Sequence, residues 1–176
     1  QQGRGAWNPK HLLWPILKRL VADKVLNKLG GRLLYVISGG AELSPSVSRT
    51  FIGLGLSLLQ GYGMTESSPV VSVNRPDDNI PASVGRTIPG VEVKLGEQDA
   101  LLIRGPNVML GYWNNPEATK QIISSDGWLN SGDIARIDDQ GHIFITGRLK
   151  EIVVLSTGEK IPPADMESAI KRDSLF

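Results

Sequence analysis

Residues 60–66, Gln-Gly-Tyr-Gly-Met-Thr-Glu, place a hydroxyl and a carboxylate directly after two closely spaced glycines. An apolar run, Leu56-Ser57-Leu58-Leu59, precedes them and predicts a buried strand. Gly61 and Gly63 are expected to break that strand and let the backbone approach a ligand closely. Exposed backbone N–H groups at such a turn suit anionic oxygens. Thr65 can donate to a phosphate oxygen, and Glu66 can hold a hard cation such as magnesium. The same residues would also serve as a strand-ending turn with a capping threonine and a surface glutamate. Two other phosphate-binding patterns are excluded. The dinucleotide fingerprint needs a third glycine where Glu66 stands, and no Gly-x-x-x-x-Gly-Lys-Ser/Thr run occurs.

The elements that would position these residues follow from pattern. Residues 1–9 read as a loop, and residues 10–29 as a helix beginning or kinked near Trp14 and ended by Gly30-Gly31. Residues 33–37 predict an interior strand of a parallel sheet, delivering Ser38-Gly39-Gly40-Ala41 to the edge where open α/β sheets bind ligands. Ser44-Pro45 predicts a helix start, with Ser44 as cap and Gly55 as stop. Strand, helix and strand in this order imply a right-handed βαβ unit. Beyond Glu66 the texture changes to short strands (70–73, 91–95, 101–103) separated by turns. A short helix is predicted from Asn115-Pro116 to about residue 123, and a hairpin over 134–145 turns at Asp138–Gly141. A strand at 152–155, a turn at 157–160 and a helix at 164–171 close the chain. The fold class predicted is α/β: the end of a parallel α/β layer, a small β subdomain, then the start of a small α+β domain.

The bulk numbers bound the function. The chain has 176 residues and no cysteine, which excludes a disulfide scaffold, a cysteine zinc site and a thiol nucleophile. No apolar run approaches the roughly 20 residues of a membrane span. Charge is uneven: residues 1–32 carry seven basic side chains against one acid, Asp23, and the remainder twelve basic against seventeen acidic. That basic segment is either a solvated helix face or a peripheral contact with anionic membrane. His11, His142 and the Asp77-Asp78 pair read as structural or solvated positions without chemistry.

Gly61-Tyr62-Gly63-Met64-Thr65-Glu66 resembles the aromatic-Gly-x-Thr-Glu signature of the adenylate-forming (ANL) superfamily. The resemblance continues in order through Ser38-Gly39-Gly40-Ala41-Glu42-Leu43, residues 104–113 (Arg-Gly-Pro-Asn-Val-Met-Leu-Gly-Tyr-Trp), residues 127–133 (Gly-Trp-Leu-Asn-Ser-Gly-Asp) and Gly147-Arg148-Leu149-Lys150-Glu151. Within the superfamily it is most similar to the long-chain fatty-acyl-CoA synthetases. The resemblance implies an ATP-dependent acyl-CoA ligase that joins a fatty acid to AMP and passes the acyl group to coenzyme A. It implies ATP, Mg2+ and coenzyme A as cofactors and substrates, no nucleic acid, and a cytoplasmic location with peripheral membrane contact as a further expectation. Gly39, Gly40 and Ala41 would border adenine. Gln60, Gly61, Tyr62, Gly63 and Met64 would pack around adenine and the acyl pocket. Thr65 would bind the α-phosphate, Glu66 the metal, Asp133 the ribose hydroxyls, and Arg148 ribose or phosphate. Lys150 would fall at a hinge between a large domain (1–147, its 1–66 part α/β and its 67–147 part mostly β) and a small one (148–176).

The pattern also departs from the family. Asp99-Ala100 stands where the family has Gly-Glu, and no Ser/Thr/Gly-rich phosphate loop with its lysine occurs. The C-terminal segment bearing the lysine that assists adenylation does not occur either. The chain therefore reads as part of a longer ligase. A complete non-catalytic nucleotide- or acyl-binding module, and an adenylation domain that loads a carrier protein, are the alternatives. The 176 residues alone are expected not to form acyl-adenylate, because donors for pyrophosphate are missing. Pyrophosphate exchange with ATP and palmitate checks this: no exchange is expected, and robust exchange contradicts it.

Overall fold

The computed structural model describes residues 18–41, 43–151, 153–154, 160–161 and 170. Contacts divide the chain into two compact units, Gln1–Ile37 with Leu43–Leu58, and Ser38–Glu42 with Leu59–Phe176. The boundary expected after residue 147 falls inside the second unit. The start near Trp14 and, apart from Ile170, the expected helix at 164–171 lie outside the described residues. Among the described residues no helix is long and apolar enough to cross a membrane.

In the first unit a π-helical turn (Lys18–Ala22) leads into α1 (Asp23–Lys28). Gly30 follows the helix with φ +95° and donates to Asn27 O, while Gly31 N reaches back to Leu26 O at 2.9 Å. This is the Schellman arrangement, in which the left-handed residue costs a glycine least. α2 (Pro45–Gly53) ends the same way, with Gly55 at φ +91° and Leu56 N on Phe51 O at 3.0 Å. At its start Pro45 takes the first helical position, but Ser44 does not cap the helix. Its hydroxyl pairs instead with Ser46 Oγ at 2.7 Å. The strand–helix–strand order stands, with β1 (Tyr35–Ser38) before α2 and β2 (Ser57–Gly63) after it. β1 is not interior: Tyr35 is 52% and Ile37 70% exposed. Burial of both faces needs covering layers, and the described helices of this unit leave those side chains uncovered.

The second unit carries most of the ordered structure. β2, which belongs to it from Leu59 on, pairs antiparallel with β3 (Val70–Val73), and β3 with β4 (Arg86–Thr87). A second sheet runs β5 (Glu92–Leu95), β6 (Ala100–Arg104), β7 (Leu129–Ile137), β8 (Ile143–Arg148), all antiparallel neighbours. α3 (Pro116–Ile122) starts as expected, with Asn115 Oδ1 accepting from Ala118 N at 3.1 Å. β9 (Val153–Val154) and β10 (Lys160–Ile161) form a separate antiparallel pair. The fold is therefore mixed α/β, with two β-sheets and few helices.

Leu101 and Ile103 alternate onto one face of β6 and meet Val71, Leu129 and Ile143, all fully buried. Each such side chain contributes about 1.5–3 kcal/mol by leaving water. Polar groups stitch the two sheets across this core. Val84 N donates to Ile143 O and Ile143 N to Gly85 O, while Ser83 Oγ reaches the same Ile143 carbonyl at 2.9 Å. His142 is fully buried, with Nδ1 3.2 Å from Asp138 and Nε2 3.0 Å from Asp78, whose other oxygen pairs with Arg86 at 2.8 Å. Thus Asp78 and His142 are fastened into the fold rather than solvated at a turn and a strand edge.

The largest correction concerns the glycines of the central stretch. Gly61 and Gly63 do not break the strand, since β2 runs through both. Gly61 pairs with Val73 and Gly63 with Val70, with an irregularity in register between Tyr62 and Gly63. A Cβ on Gly63 would stand 1.9 Å from Pro69 O, and one on Gly61 3.2 Å from Ser72 O. The missing side chains admit the protein's own neighbouring strand. Gly63→Ala is expected to destabilise the fold by about 3 kcal/mol, because the clash is with backbone. Gly53→Ala, where a Cβ meets nothing within 4 Å, is expected to be neutral or stabilising by about 0.5–1 kcal/mol. Thermal unfolding of the two variants checks the contrast. Equal behaviour would contradict this account of the strand glycines.

Candidate functional site

The end of β2 determines where the chemical groups lie. After Gly63 the chain enters a 3₁₀ turn, Thr65–Ser67. Ser67 is buried, and its hydroxyl donates within reach of Met64 O (2.9 Å) and Pro69 O (2.7 Å) while Met64 N donates to Pro69 O at 2.9 Å. Ser68 completes the reversal at φ +54°. This closed turn holds Thr65 exposed and Glu66 half-exposed at its surface.

The second sheet supplies two further expected residues. Asp133 on β7 and Arg148 on β8 are direct cross-strand partners, and Arg148 Nε donates to Asp133 Oδ1 at 3.0 Å. Asp133 lies within a nine-residue strand, its side chain 9% exposed against 65% for Arg148. Tyr62, on β2, donates its hydroxyl to the other oxygen, Asp133 Oδ2. Ser131 Oγ accepts from Asp133 N at 3.1 Å and donates to Leu101 O at 2.8 Å, which fixes the strand beneath. A carboxylate has about four acceptor positions. Tyr62 and Arg148 use two, so Asp133 can still accept from two further hydroxyls.

The other expected residues are distributed around this pair. Gly39 approaches the same strand, its Cβ direction 3.5 Å from Gly61 O, and Gly40 is left-handed at φ +83° with open space beside it. Ala41 follows and is exposed. Gln60 turns inward: it is 6% exposed, and its side-chain amide donates to Pro81 O at 2.6 Å. Met64 packs on the core cluster. Lys150 is exposed in the short turn Leu149–Glu151 that follows β8. Tyr62, Asp133 and Arg148 are thus joined directly, Thr65 and Glu66 leave the same strand as Tyr62, and Lys150 sits two residues past Arg148.

Glu66 has a partner that sequence reasoning missed. Tyr112 donates its hydroxyl to Glu66 Oε1 at 2.7 Å, and Met109 N donates to Glu66 O at 2.9 Å. The hydrogen bond to Glu66 raises the Tyr112 phenol above its ordinary range. The only sequence signal was an aromatic in the Gly-Tyr-Trp run. Among the described residues, no three His, Cys, Asp or Glu side chains converge to cage a metal. Glu66 offers a single carboxylate. That donor set suits a hard cation whose shell is completed by phosphate oxygens and water.

A family model described as AMP-binding enzyme matches residues 11–113. A long-chain-fatty-acid–CoA ligase of Mycobacterium bovis (FadD15) is 36% identical over 161 residues, covering 92% of this chain and 27% of the relative. A chloroplastic long-chain-fatty-acid–[acyl-carrier-protein] ligase of Arabidopsis thaliana (AEE15) is 36% identical over 189 residues, covering 94% and 26%. Among solved structures, ATP-bound MatB of Rhodopseudomonas palustris superposes with a TM-score of 0.73 at 28% identity, covering 95% of this chain and 38% of that one. The chain spans about a quarter of the length of the curated relatives it matches.

Burial, followed by the hydrogen bond to Asp133, pushes the Tyr62 phenol well above its ordinary 10.0. The folded state keeps a proton that an unfolded tyrosine loses above that pH. The stabilisation is complete below about pH 10 and decays as pH rises further. Stability is therefore expected to fall over the alkaline range, and to fall less steeply in Tyr62→Phe. Urea unfolding at pH 8 to 11 checks this; identical slopes would contradict the buried Tyr62–Asp133 contact.

Proposed function

Because the chain belongs to the AMP-binding enzyme family, we propose that it forms the nucleotide-facing part of an ATP-dependent ligase that activates a fatty acid as acyl-adenylate and passes it to coenzyme A. The observation that carries the reading is the joining of Tyr62, Asp133 and Arg148 beside the strand that leads to Thr65 and Glu66. The long-chain-fatty-acid–CoA ligase relative supports the acyl substrate, and the ATP-bound structural neighbour supports ATP. The acyl-carrier-protein ligase among the relatives is the observation favouring a carrier-bound thiol as the second acceptor reading.

In the first half-reaction a carboxylate oxygen of the acid attacks the α-phosphorus and pyrophosphate leaves. Such transfers need placement and charge stabilisation more than covalent help. Asp133 accepts from the ribose hydroxyls through its two remaining acceptor positions, and so fixes the nucleoside. Arg148 holds the Asp133 carboxylate with a permanent charge, and its exposed guanidinium reaches toward ribose or phosphate. Gly39, Gly40 and Ala41 border the adenine, Gly40 with no side chain to hinder it, beside residues 60–64. Thr65 donates its hydroxyl to the α-phosphate. Glu66 would hold a magnesium ion, which when bound neutralises charge on the phosphates. Lys150 follows the second sheet at the position where a hinge would let the small domain swing between half-reactions.

Glu66→Gln keeps size and removes charge. In the full-length protein, adenylation is expected to fall on the order of 100-fold, equivalent to about 2.7 kcal/mol of lost stabilisation. Transfer from preformed acyl-adenylate to coenzyme A is expected to suffer less, since pyrophosphate has already left. Measuring the two half-reactions separately decides it. Equal slowing of both, or no change in a folded variant, would contradict the role given to Glu66.

A further inference from the structure

We infer that Tyr112 is a positioning residue that sets the Glu66 carboxylate for its cation, an inference that rests on the metal-facing reading of Glu66. Residues 109–112 grip Glu66 twice, through Met109 N on its carbonyl at 2.9 Å and Tyr112 Oη on Oε1 at 2.7 Å. One contact fixes the main chain and the other the side-chain rotamer.

The backbone that carries the phenol is itself fixed. Tyr112 N donates to Thr119 Oγ1 at 2.9 Å, and that hydroxyl donates to Asn115 O at 3.0 Å. Asn115 N returns to Tyr112 O at 3.2 Å. Gly111 sits at φ +144°, and a Cβ there would meet Thr119 Cγ2 and Oγ1 at 2.9 Å. The start of α3 thus forms a frame around the backbone of Tyr112.

The chemistry suits a carboxylate that binds a cation through one oxygen. A hydroxyl donating to Oε1 removes that oxygen's freedom to rotate toward water. Among the described residues, no hydrogen bond engages Oε2, which is then the oxygen presented to a hard ion. A ligating carboxylate that is itself hydrogen-bonded keeps its orientation, and loss of such a partner costs about 10–100-fold in metal affinity or activity. A tyrosine supplies this with a single donor and no charge of its own to oppose the ion.

The test uses the full-length protein with Mn2+ as probe, in the presence of a non-hydrolysable ATP analogue, and reads free Mn2+ by electron paramagnetic resonance. Wild type, Tyr112→Phe, Glu66→Gln and the double variant are compared. Tyr112→Phe is expected to weaken Mn2+ binding about tenfold and to leave metal-free analogue binding unchanged. Added to Glu66→Gln, it is expected to shift Mn2+ affinity by about twofold at most, because the two act through one contact. Unchanged Mn2+ affinity in Tyr112→Phe, with weakening in Glu66→Gln, overturns the inference and leaves the Glu66 reading standing. Equal weakening by Tyr112→Phe in both backgrounds also overturns it, since the tyrosine would then act on the fold rather than through Glu66. Unchanged affinity in Glu66→Gln removes the Glu66 reading and the inference with it.

Discussion

A single carboxylate, Asp133, ties three strands together. It is nearly buried, so its charge must be met by donors or neutralised. Tyr62 from β2 and Arg148 from β8 meet it on its two oxygens, and Ser131 accepts from its own N–H. The contact with Tyr62 fixes β2 against the second sheet. That in turn places the Thr65–Ser67 turn, because only two residues separate it from Tyr62. Burial raises the cost of disturbing this arrangement, since a carboxylate left without donors pays its full desolvation.

The same carboxylate is the one proposed to accept from ribose hydroxyls. Its side chain is 9% exposed, beside an Arg148 that remains largely in water. Glu66 is likewise held, its Oε1 accepting from the Tyr112 hydroxyl. In both acids, donors from other strands or loops fix the orientation of the carboxylate.

Much of this was legible in the sequence. The short apolar runs at 70–73, 91–95 and 101–103, set between turns, marked strands that exist, and Asn115-Pro116 marked a helix start whose cap is made. Gly30 and Gly55 marked helix ends, because a left-handed residue after a helix favours glycine. The glycines of residues 60–66 misled, since a glycine that admits a neighbouring strand looks, in sequence, like one that turns the chain. Only the Pro69 carbonyl, 1.9 Å from the Cβ position of Gly63, distinguishes the two. Tyr112 and the His142 network were illegible for another reason. Their partners lie 46 and 64 residues away, at Glu66 and Asp78, and neither pairing has a local pattern. Exposure of β1 was also hidden, because an apolar run reports what a strand can bury and not what covers it.

The proposed nucleotide site depends on Asp133 as the acceptor of ribose hydroxyls. Its most direct test is the affinity of the full-length protein for AMP against 2′,3′-dideoxy-AMP, by calorimetry, in wild type and Asp133→Asn. Hydrogen bonds to a charged acceptor predict that wild type prefers AMP by about tenfold or more, and that the preference shrinks sharply in the variant. Equal affinity of wild type for the two nucleotides would contradict the role of Asp133 and the site built around it.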